Sequence, residues 1–460
     1  MLPRTLITIA LLAVSLSAAA MSADQSRLIR RASGVPEEDS AGAAPLRSLG
    51  LYDLYALAVR NTERMKIEAE NVEQAIARKN QAIGSFLPRV SLRAAKVFPE
   101  DAETLSSFAT IRTGVYLIAR QPIFTGLDEW TRYRGAVPDL RMQQFNARFA
   151  ASRLLFDVSY AYFRVLQIEK SLASRTEILR LYGRNIQELR RRVHLGKSRQ
   201  SDVLRTQSQI HKIEADILAF TNELERARLD LSTITGIDIG KRELRETADP
   251  PRPLPVAENM RAYVEDRWDV RAAVESVAYA KTRVLAAKGG HLPQVYVEGG
   301  YRFYQPEDIK KGPDYFVAIG ADFPIFAGLT VVSKTREAES AMRQAELRLR
   351  QARRIARQDI IDSNQSYETS TREIEAYRKA LATADENYRT VLRDYRLNLV
   401  SVLDVFSALT TLQSAQEDFD RVSLQHRLNR IRLGIAVNEF AAGGIETLRR
   451  ISAPIGGTGR

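Results

Sequence analysis

The sequence predicts a mainly α-helical protein that carries a small β part and consists of two tandem repeats. Three observations support this prediction. Several motifs recur about 200 residues apart, the stretch from Leu329 to Leu433 contains neither glycine nor proline, and short alternating segments interrupt the helical regions. A single helix of 60 or more residues would be about 100 Å long. A rod or a tube needs such helices, whereas a compact domain does not.

The repeat is visible in three pairs of matching residues. The sequence FLPRV at 86–90 returns as HLPQV at 291–295, which places the two prolines 205 positions apart. QPIFTGL at 121–127 returns as FPIFAGL at 323–329, with an offset of 202, and Asp202 returns as Asp404 with the same offset. Each copy is therefore expected to contain a helix, a β-hairpin and two long coiled-coil helices. The first helix is expected at 49–83 in one copy and at 260–288 in the other.

The chain divides into six segments. An arginine, a short apolar run and an alanine triplet predict a secretory signal peptide at 1–20, and a disordered segment follows at 21–46. Repeat 1 covers 47–245 and repeat 2 covers 259–441. A Pro-rich linker at 246–258 separates them, and a flexible tail is expected at 442–460. The hairpins and long helices are expected at 88–124 and 128–235 in repeat 1, and at 293–326 and 330–440 in repeat 2.

The hairpins are the candidate membrane segments. Apolar and polar residues alternate over about ten positions with aromatic residues at the ends, as in a tilted transmembrane strand. In this interpretation Val297 faces lipid and Glu298 faces the interior. On the alternation alone, a soluble, half-buried hairpin is the favoured interpretation, because the signal of each single strand is weak.

The composition excludes several function classes. The net charge of +12 arises from arginines interleaved with acidic residues along the helices, which is typical of solvated helix faces, and no nucleic-acid motif accompanies them. The chain has no cysteine, and its four histidines show no metal-ligand spacing. Because no catalytic or nucleotide-binding motif is present, the sequence predicts a protein that is not an enzyme and has no cofactor.

In its repeated turns and in the motifs that join its long helices, the chain resembles the TolC-like outer membrane efflux protein family, whose members are also called outer membrane factors. The resemblance is based on the two Pro-Ile-Phe-x-Gly-Leu turns, on GKSRQSDVL at 196–204 and on YRLNLVSVLDVFSA at 395–408. It covers about 49–441. It implies a homotrimer in which three subunits form one 12-stranded transmembrane β-barrel that continues as a periplasmic α-helical tunnel.

The resemblance also implies a location and a function. The protein would lie in the outer membrane of a Gram-negative bacterium, in contact with its lipid. It would be the passive export duct of a tripartite efflux or type I secretion system, docking a periplasmic adaptor (a membrane fusion protein) and an inner-membrane pump. The alternative is a periplasmic coiled-coil scaffold or adaptor protein, which two equal repeats argue against.

The turns between the long helices hold the expected site residues. By resemblance, Asp404 matches a pore aspartate, Tyr395 and Asp202 match a hydrogen-bonded pair that closes the periplasmic gate, and Ser407 stands where relatives carry a second aspartate. Val400 stands where some relatives carry an arginine. The expected adaptor-contact tips are Leu195, Gly196, Lys197, Leu397, Asn398 and Leu399.

The residues of the two turns also have a simpler explanation. Asp202 and Asp404 would favour helix N-termini through their charge alone, with Ser201 and Ser401 as the N-caps. Gly196 and Asn398 are residue types that tolerate a positive φ at a helix end.

Overall fold

The computed structural model of the protein describes residues 48–95, 114–246, 259–304, 315–397 and 399–440. The expected signal peptide, the segment 21–46 and the tail at 442–460 lie outside the described residues. So do Asn398, the linker beyond Glu246 and most of the polar hairpin tips.

The described helices follow one another in pairs. They are α1 (Leu51–Asn61), α2 (Glu63–Gly84), α3 (Asp128–His194), α4 (Gln200–Thr235), α5 (Met260–Asp266), α6 (Trp268–Gly289), α7 (Thr330–Arg396) and α8 (Val402–Ala436). The strands between them are β1 (Ser48–Leu49), β2 (Arg89–Ala95), β3 (Gly114–Thr125), β4 (Glu243–Leu244), β5 (Gln294–Tyr304) and β6 (Tyr315–Asp322).

The two helices that were expected to precede the hairpins are each broken. Thr62 ends α1 with an extended backbone (φ −69°, ψ 136°), and its hydroxyl donates to the Ala58 carbonyl over 2.7 Å. Arg267 ends α5 in a similar conformation (φ −61°, ψ 140°) and forms an ion pair with Asp359 at 3.1 Å. The expectation of one continuous helix at each place is therefore wrong. At the first break the Thr62 hydroxyl binds a carbonyl of its own helix, and at the second Arg267 is buried against another helix. These interactions outweigh the propensity of each segment to continue as one helix.

The long helices α3 and α7 each contain 67 residues, which corresponds to about 100 Å at a rise of about 1.5 Å per residue. Pro138 lies inside α3 without ending it. Gly135 allows a close approach, because an added Cβ would lie 2.8 Å from the Thr282 hydroxyl oxygen. None of the described helices combines the length and the apolar character that a membrane crossing requires.

The chain forms two compact units. The first contains the described parts of Met1–Ala69, Ala147–Trp268 and Arg353–Arg460, and the second contains those of Glu70–Asn146 and Asp269–Ala352. In the first unit, one apolar core joins α1, α3, α4 and α8 beside the parallel pair β1–β4. A second core lies where α3 ends and where α4 and α8 begin; it contains Ile178, Tyr182, Ile186, Leu189, Val203, Ile213, Val402, Phe406 and Leu409.

The second unit contains one antiparallel sheet with the strand order β2-β3-β5-β6. The two expected hairpins are thus joined, because β3 pairs with β5. One face of the sheet is apolar and exposed: Leu92 pairs with Leu117, Leu117 with Tyr301, and Val297 with Ile319. The opposite face carries the charged residues Arg93, Arg120, Glu298, Arg302 and Asp322. Val297 and Glu298 therefore belong to different faces, as the alternation indicates.

Candidate functional site: the turns between the long helices

In the turn from α3 to α4, one residue with a left-handed backbone conformation reverses the direction of the chain. Gly196 has a φ of +71°, and the Lys197 amide donates to the Arg192 carbonyl over 2.8 Å. The corresponding turn from α7 to α8 has the same bond, from the Leu399 amide to the Asp394 carbonyl over 2.9 Å. Gly196 thus has the positive φ that the sequence indicates, while Asn398 lies outside the described residues.

Asp404 starts α8 as part of a capping box. Ser401 is the N-cap, and its hydroxyl accepts a hydrogen bond from the Asp404 amide. The Asp404 carboxylate in return accepts from the Ser401 amide over 2.8 Å and from the Ser401 hydroxyl over 2.7 Å. These bonds hold the pKa of the exposed Asp404 below its ordinary value. The carboxylate is therefore charged and fixed in direction at neutral pH.

Asp202 has a different local role from Asp404. The N-cap of α4 is Arg199, with no side-chain cap bond, so Ser201 already lies inside the helix. The expectation that Ser201 caps α4 is wrong, because the residue 202 positions before Ser401 is Arg199, and α4 begins at Gln200 just as α8 begins at Val402. Asp202 instead accepts a hydrogen bond from the Ser198 hydroxyl over 3.3 Å.

Tyr395 packs against the second core near the end of α7. Within the described part of this single chain, no hydrogen bond joins Tyr395 to Asp202. The guanidinium of Arg192, on α3, lies over the Tyr395 ring at 4.5 Å, and its Nε lies 3.4 Å from Glu188. Burial raises the pKa of Tyr395; Arg192 opposes this rise, and Glu188 and Asp202 add to it. A cation–π contact of this kind is worth about 0.5–2 kcal/mol.

Arg192 was missed by sequence reasoning. It is the last of three arginines at the end of a helix, where positive charge is expected to stabilise the helix dipole. Neither the spacing nor the repeat distinguishes it from Arg191, which is 73% exposed. Only the packing of α3 beside α7 brings its guanidinium to Tyr395.

Ser407 is exposed one helical turn after Asp404. Further exposed polar residues, Thr411 and Ser414, continue the same side of α8. These residues form a polar stripe, defined as Asp404, Ser407, Thr411 and Ser414. Asp404 is the only charged member of the stripe.

The described tip residues project from the packed helices. Leu195, Leu397 and Leu399 are 66%, 62% and 71% exposed, and Gly196 and Lys197 are also exposed. Three large apolar side chains are therefore exposed at the ends of the helix pairs. Among the described residues, no group of three or more His, Asp or Glu is arranged to hold a metal ion.

Comparison with known proteins connects this architecture to a family. The outer membrane efflux protein family matches residues 54–237 and 262–439. The chain is 22% identical to the outer membrane protein TolC of Vibrio cholerae, over 85% of this chain and 91% of that protein. It is 23% identical to the proteases secretion protein PrtF of Dickeya chrysanthemi, over 83% and 86%.

Solved structures show the same fold. The CmeC outer membrane channel of Campylobacter jejuni superimposes with a TM-score of 0.72 at 14% identity, over 92% of this chain and 95% of that one. The outer membrane protein VceC of Vibrio cholerae superimposes with a TM-score of 0.70 at 17% identity, over 84% and 95%.

Fold and relatives together define the class of protein: an outer-membrane channel of efflux or type I secretion systems, located in the outer membrane of a Gram-negative bacterium. The family match covers most of the sequence, and the chain belongs to the outer membrane efflux protein family. The role of this family is transport, which is not enzymatic.

Proposed function

We propose that the chain is one subunit of a homotrimeric export duct. In this trimer the two tandem repeats each supply one hairpin, three subunits complete a 12-stranded barrel, and the long helices form a periplasmic tunnel. The observation that carries the proposal is the four-stranded sheet, whose exposed face is apolar and whose edge strands β2 and β6 each pair with a strand on one side only among the described residues.

Physical limits on membrane strands support more than one copy. A closed barrel needs about eight strands or more. Unpaired backbone groups at an open sheet edge are too costly in the hydrocarbon layer. A single chain with four strands therefore satisfies its edges in lipid only by joining other copies.

Asp404 is the proposed charged group of the periplasmic gate. Threefold symmetry would place three of these carboxylates around one axis, where like charges attract cations and repel anions. The capping box supports this role because it fixes the carboxylate at the helix start. Ser407, one turn further along the polar stripe, would leave the next level of the pore uncharged.

Tyr395 and Asp202 are proposed to help close the gate together with Arg192. The contact between Arg192 and Tyr395 joins α3 to α7 inside one subunit. Opening that separates these two helices would have to break this contact, which favours the closed arrangement.

The exposed tips are proposed to dock a periplasmic adaptor, which in turn connects the duct to an inner-membrane pump. Leu195, Leu397 and Leu399 would supply apolar contacts, and Gly196, Lys197 and Asn398 would surround them. The repeat places an equivalent tip on each helix pair, so that a trimer would offer six similar tips.

The decisive experiment is isolation of the protein from bacterial membranes. We expect a detergent-requiring trimer by native mass, and stepwise conductance when it is added to planar lipid bilayers. A monomer that stays in the periplasmic fraction without detergent and forms no channels would instead support a coiled-coil scaffold or adaptor.

A further inference from the structure

The charged face of the four-stranded sheet carries more arginines than carboxylates. Its charged residues among the described strands are Arg89, Arg93, Arg120 and Arg302 on one side of the balance, and Glu298 and Asp322 on the other. The described strand residues of the apolar face carry no charge. Each chain therefore places a surplus of positive charge on one face of its sheet.

The strand register brings two of these like charges together. Arg89 of β2 lies directly opposite Arg120 of β3, and Arg120 lies opposite Glu298 of β5. Like charges that face each other destabilise a strand pair, so the stability of the sheet does not explain this pair of arginines. Among the described residues, neither Arg89 nor Arg120 forms an ion pair. Their charges therefore remain available to a solute.

Arg120 is held on an aromatic platform. Its guanidinium carbon lies 3.6 Å from the centre of the Tyr296 ring. The ring itself lies against the next strand, because a Cβ added at Gly320 would be 2.4 Å from it. A guanidinium that stacks through its face still directs its N–H donors outward in its own plane, where they match the oxygens of a carboxylate or a phosphate. Arg120 is thus positioned to contact an anion.

The arginines are also the side chains that project from this face. Phe316 lies flat on the neighbouring strand, because a Cβ added at Gly300 would be 2.2 Å from its ring. Phe316 and Tyr296 are only half-exposed, whereas Arg89 and Arg120 are exposed. A solute that approaches the face therefore meets guanidinium groups before it meets the aromatic rings.

A cavity of about 410 Å³ lies at the foot of the same strands, and its lining includes Arg89, Arg120, Arg132, Asp128 and Glu129. Asp128 pairs with Arg132 at 2.6 Å, and Glu129 accepts a hydrogen bond from a threonine hydroxyl at the end of β3. Both carboxylates of the cavity thus already have partners. The two arginines of the sheet line it without a paired carboxylate among the described residues.

We propose that the charged face of the sheet makes the interior of the barrel attract anions, with Arg89 and Arg120 as the cations that contact their carboxylate, sulfate or phosphate groups. The proposal rests on the proposed homotrimer, in which the apolar face contacts lipid and the charged face lines the interior. Three chains would bring their surplus charges to one passage, where walls of low dielectric constant focus the field on the solute. This part of the duct favours anionic solutes, whereas Asp404 at the gate attracts cations.

A single cysteine measures the local potential, since the natural chain has none. Ala318→Cys places a thiol on the charged face, opposite Glu298 and in the same cross-strand row as Arg89 and Arg120. The assay compares the rates at which two methanethiosulfonate reagents, one bearing a sulfonate and one a trimethylammonium group, modify this thiol in the purified trimer. Any change in the thiolate fraction affects both rates alike, so it cancels in the ratio of the two rates.

The ratio of the sulfonate rate to the trimethylammonium rate should fall several-fold when Arg89→Gln/Arg120→Gln is added. The conservative pair Arg89→Lys/Arg120→Lys keeps the charge and should keep the ratio. Arg372→Gln/Arg389→Gln removes two exposed arginines of α7 and should not change it. At 1 M salt the Debye length falls to about 3 Å, and the difference between the arginine and glutamine proteins should shrink.

Conductance gives a second measure that does not need the cysteine. In planar bilayers with a salt gradient, neutralising the gate with Asp404→Asn should shift the reversal potential toward that of anions. Adding Arg89→Gln/Arg120→Gln to this variant should remove the shift. A reversal potential that is the same with and without the two arginines would overturn the proposal.

The outcomes separate this proposal from the proposed function. Conducting trimers whose rate ratio is unaffected by the glutamine pair, or whose Ala318→Cys thiol reacts with neither reagent, overturn the anion-attracting interior and leave the duct intact. If the glutamine pair fails to assemble, Arg120→Gln alone carries the test, with a smaller fall in the ratio expected and an unchanged ratio overturning the proposal. A wild-type protein that forms neither trimers nor channels overturns the proposed duct itself.

Discussion

The apolar face of the sheet gives the sharpest prediction. Ile319→Arg introduces a charge at a side chain that is 76% exposed and that lies opposite Val297. Ala318→Arg introduces the same side chain one residue away, on the charged face, opposite Glu298. We expect the first change to prevent stable insertion in the membrane and the second to be tolerated, because an arginine at 318 gains a carboxylate partner.

The expected size of the effect follows from the depth of Ile319. It lies four residues from Tyr315 along β6, about 14 Å at about 3.4 Å per residue. With a tilt of about 40°, this is close to the middle of an apolar band about 25 Å tall. An arginine there costs about 2–4 kcal/mol per subunit, which corresponds to roughly 30- to 900-fold in the insertion equilibrium.

The assay compares both variants with the wild type in outer-membrane fractions. The measured quantity is the fraction that migrates as heat-resistant trimer on unheated denaturing gels, normalised to total expressed protein. Ile319→Arg should lose nearly all of this trimer, while Ala318→Arg should retain most of it. Equal losses in the two variants, or a larger loss in Ala318→Arg, would refute the assignment of the apolar face to lipid.

Three further predictions concern the gate and the packing. Arg192→Gln should raise the leak conductance in planar bilayers by removing the cation over Tyr395, whereas Arg191→Gln, at an exposed neighbour, should not; equal conductances would exclude this contact from the gate. Asp404→Asn should reduce the preference of the channel for cations. In the wild type this preference should persist at pH values below 3.8, the ordinary pKa of the carboxyl group, because the pKa of Asp404 is lowered. It should disappear only as the pH falls through that lowered pKa. Ser401→Ala removes the hydroxyl bond that is the largest cause of this lowered pKa and leaves the amide bond of residue 401 in place. Its loss of selectivity should therefore occur at a higher pH than in the wild type, and an unchanged profile would contradict the link. Gly289→Ala should lower the thermal stability of the protein in detergent, because its Cβ would lie 1.9 Å from the Gly126 carbonyl oxygen. The control Gly183→Ala lies in open space within α3, and it should raise the free energy of unfolding by about 0.5–1 kcal/mol. Similar shifts for both variants would show that the contact between the two glycines is unimportant.

The local features of the turns could be predicted from sequence because they depend on neighbouring residues. The φ of Gly196 follows from the absence of a Cβ, and the capping box of Ser401 and Asp404 follows from their spacing of three residues. The alternation of Val297 and Glu298 follows from the two-residue period of a strand. None of these features requires contacts from distant parts of the chain.

The sequence alone indicated the class of protein, because its two Pro-Ile-Phe-x-Gly-Leu turns and its motifs at 196–204 and 395–408 resemble those of the outer membrane efflux protein family. The tertiary structure decided what depends on packing between distant segments. It placed Arg192 of α3 over Tyr395 of α7, and it ended α5 at Arg267 through an ion pair with Asp359. It also joined the two hairpins into one sheet and left the turn at Gly328 open while it closed the turn at Gly126. The two copies of a motif differ in their surroundings because only three-dimensional packing determines which neighbour each of them meets.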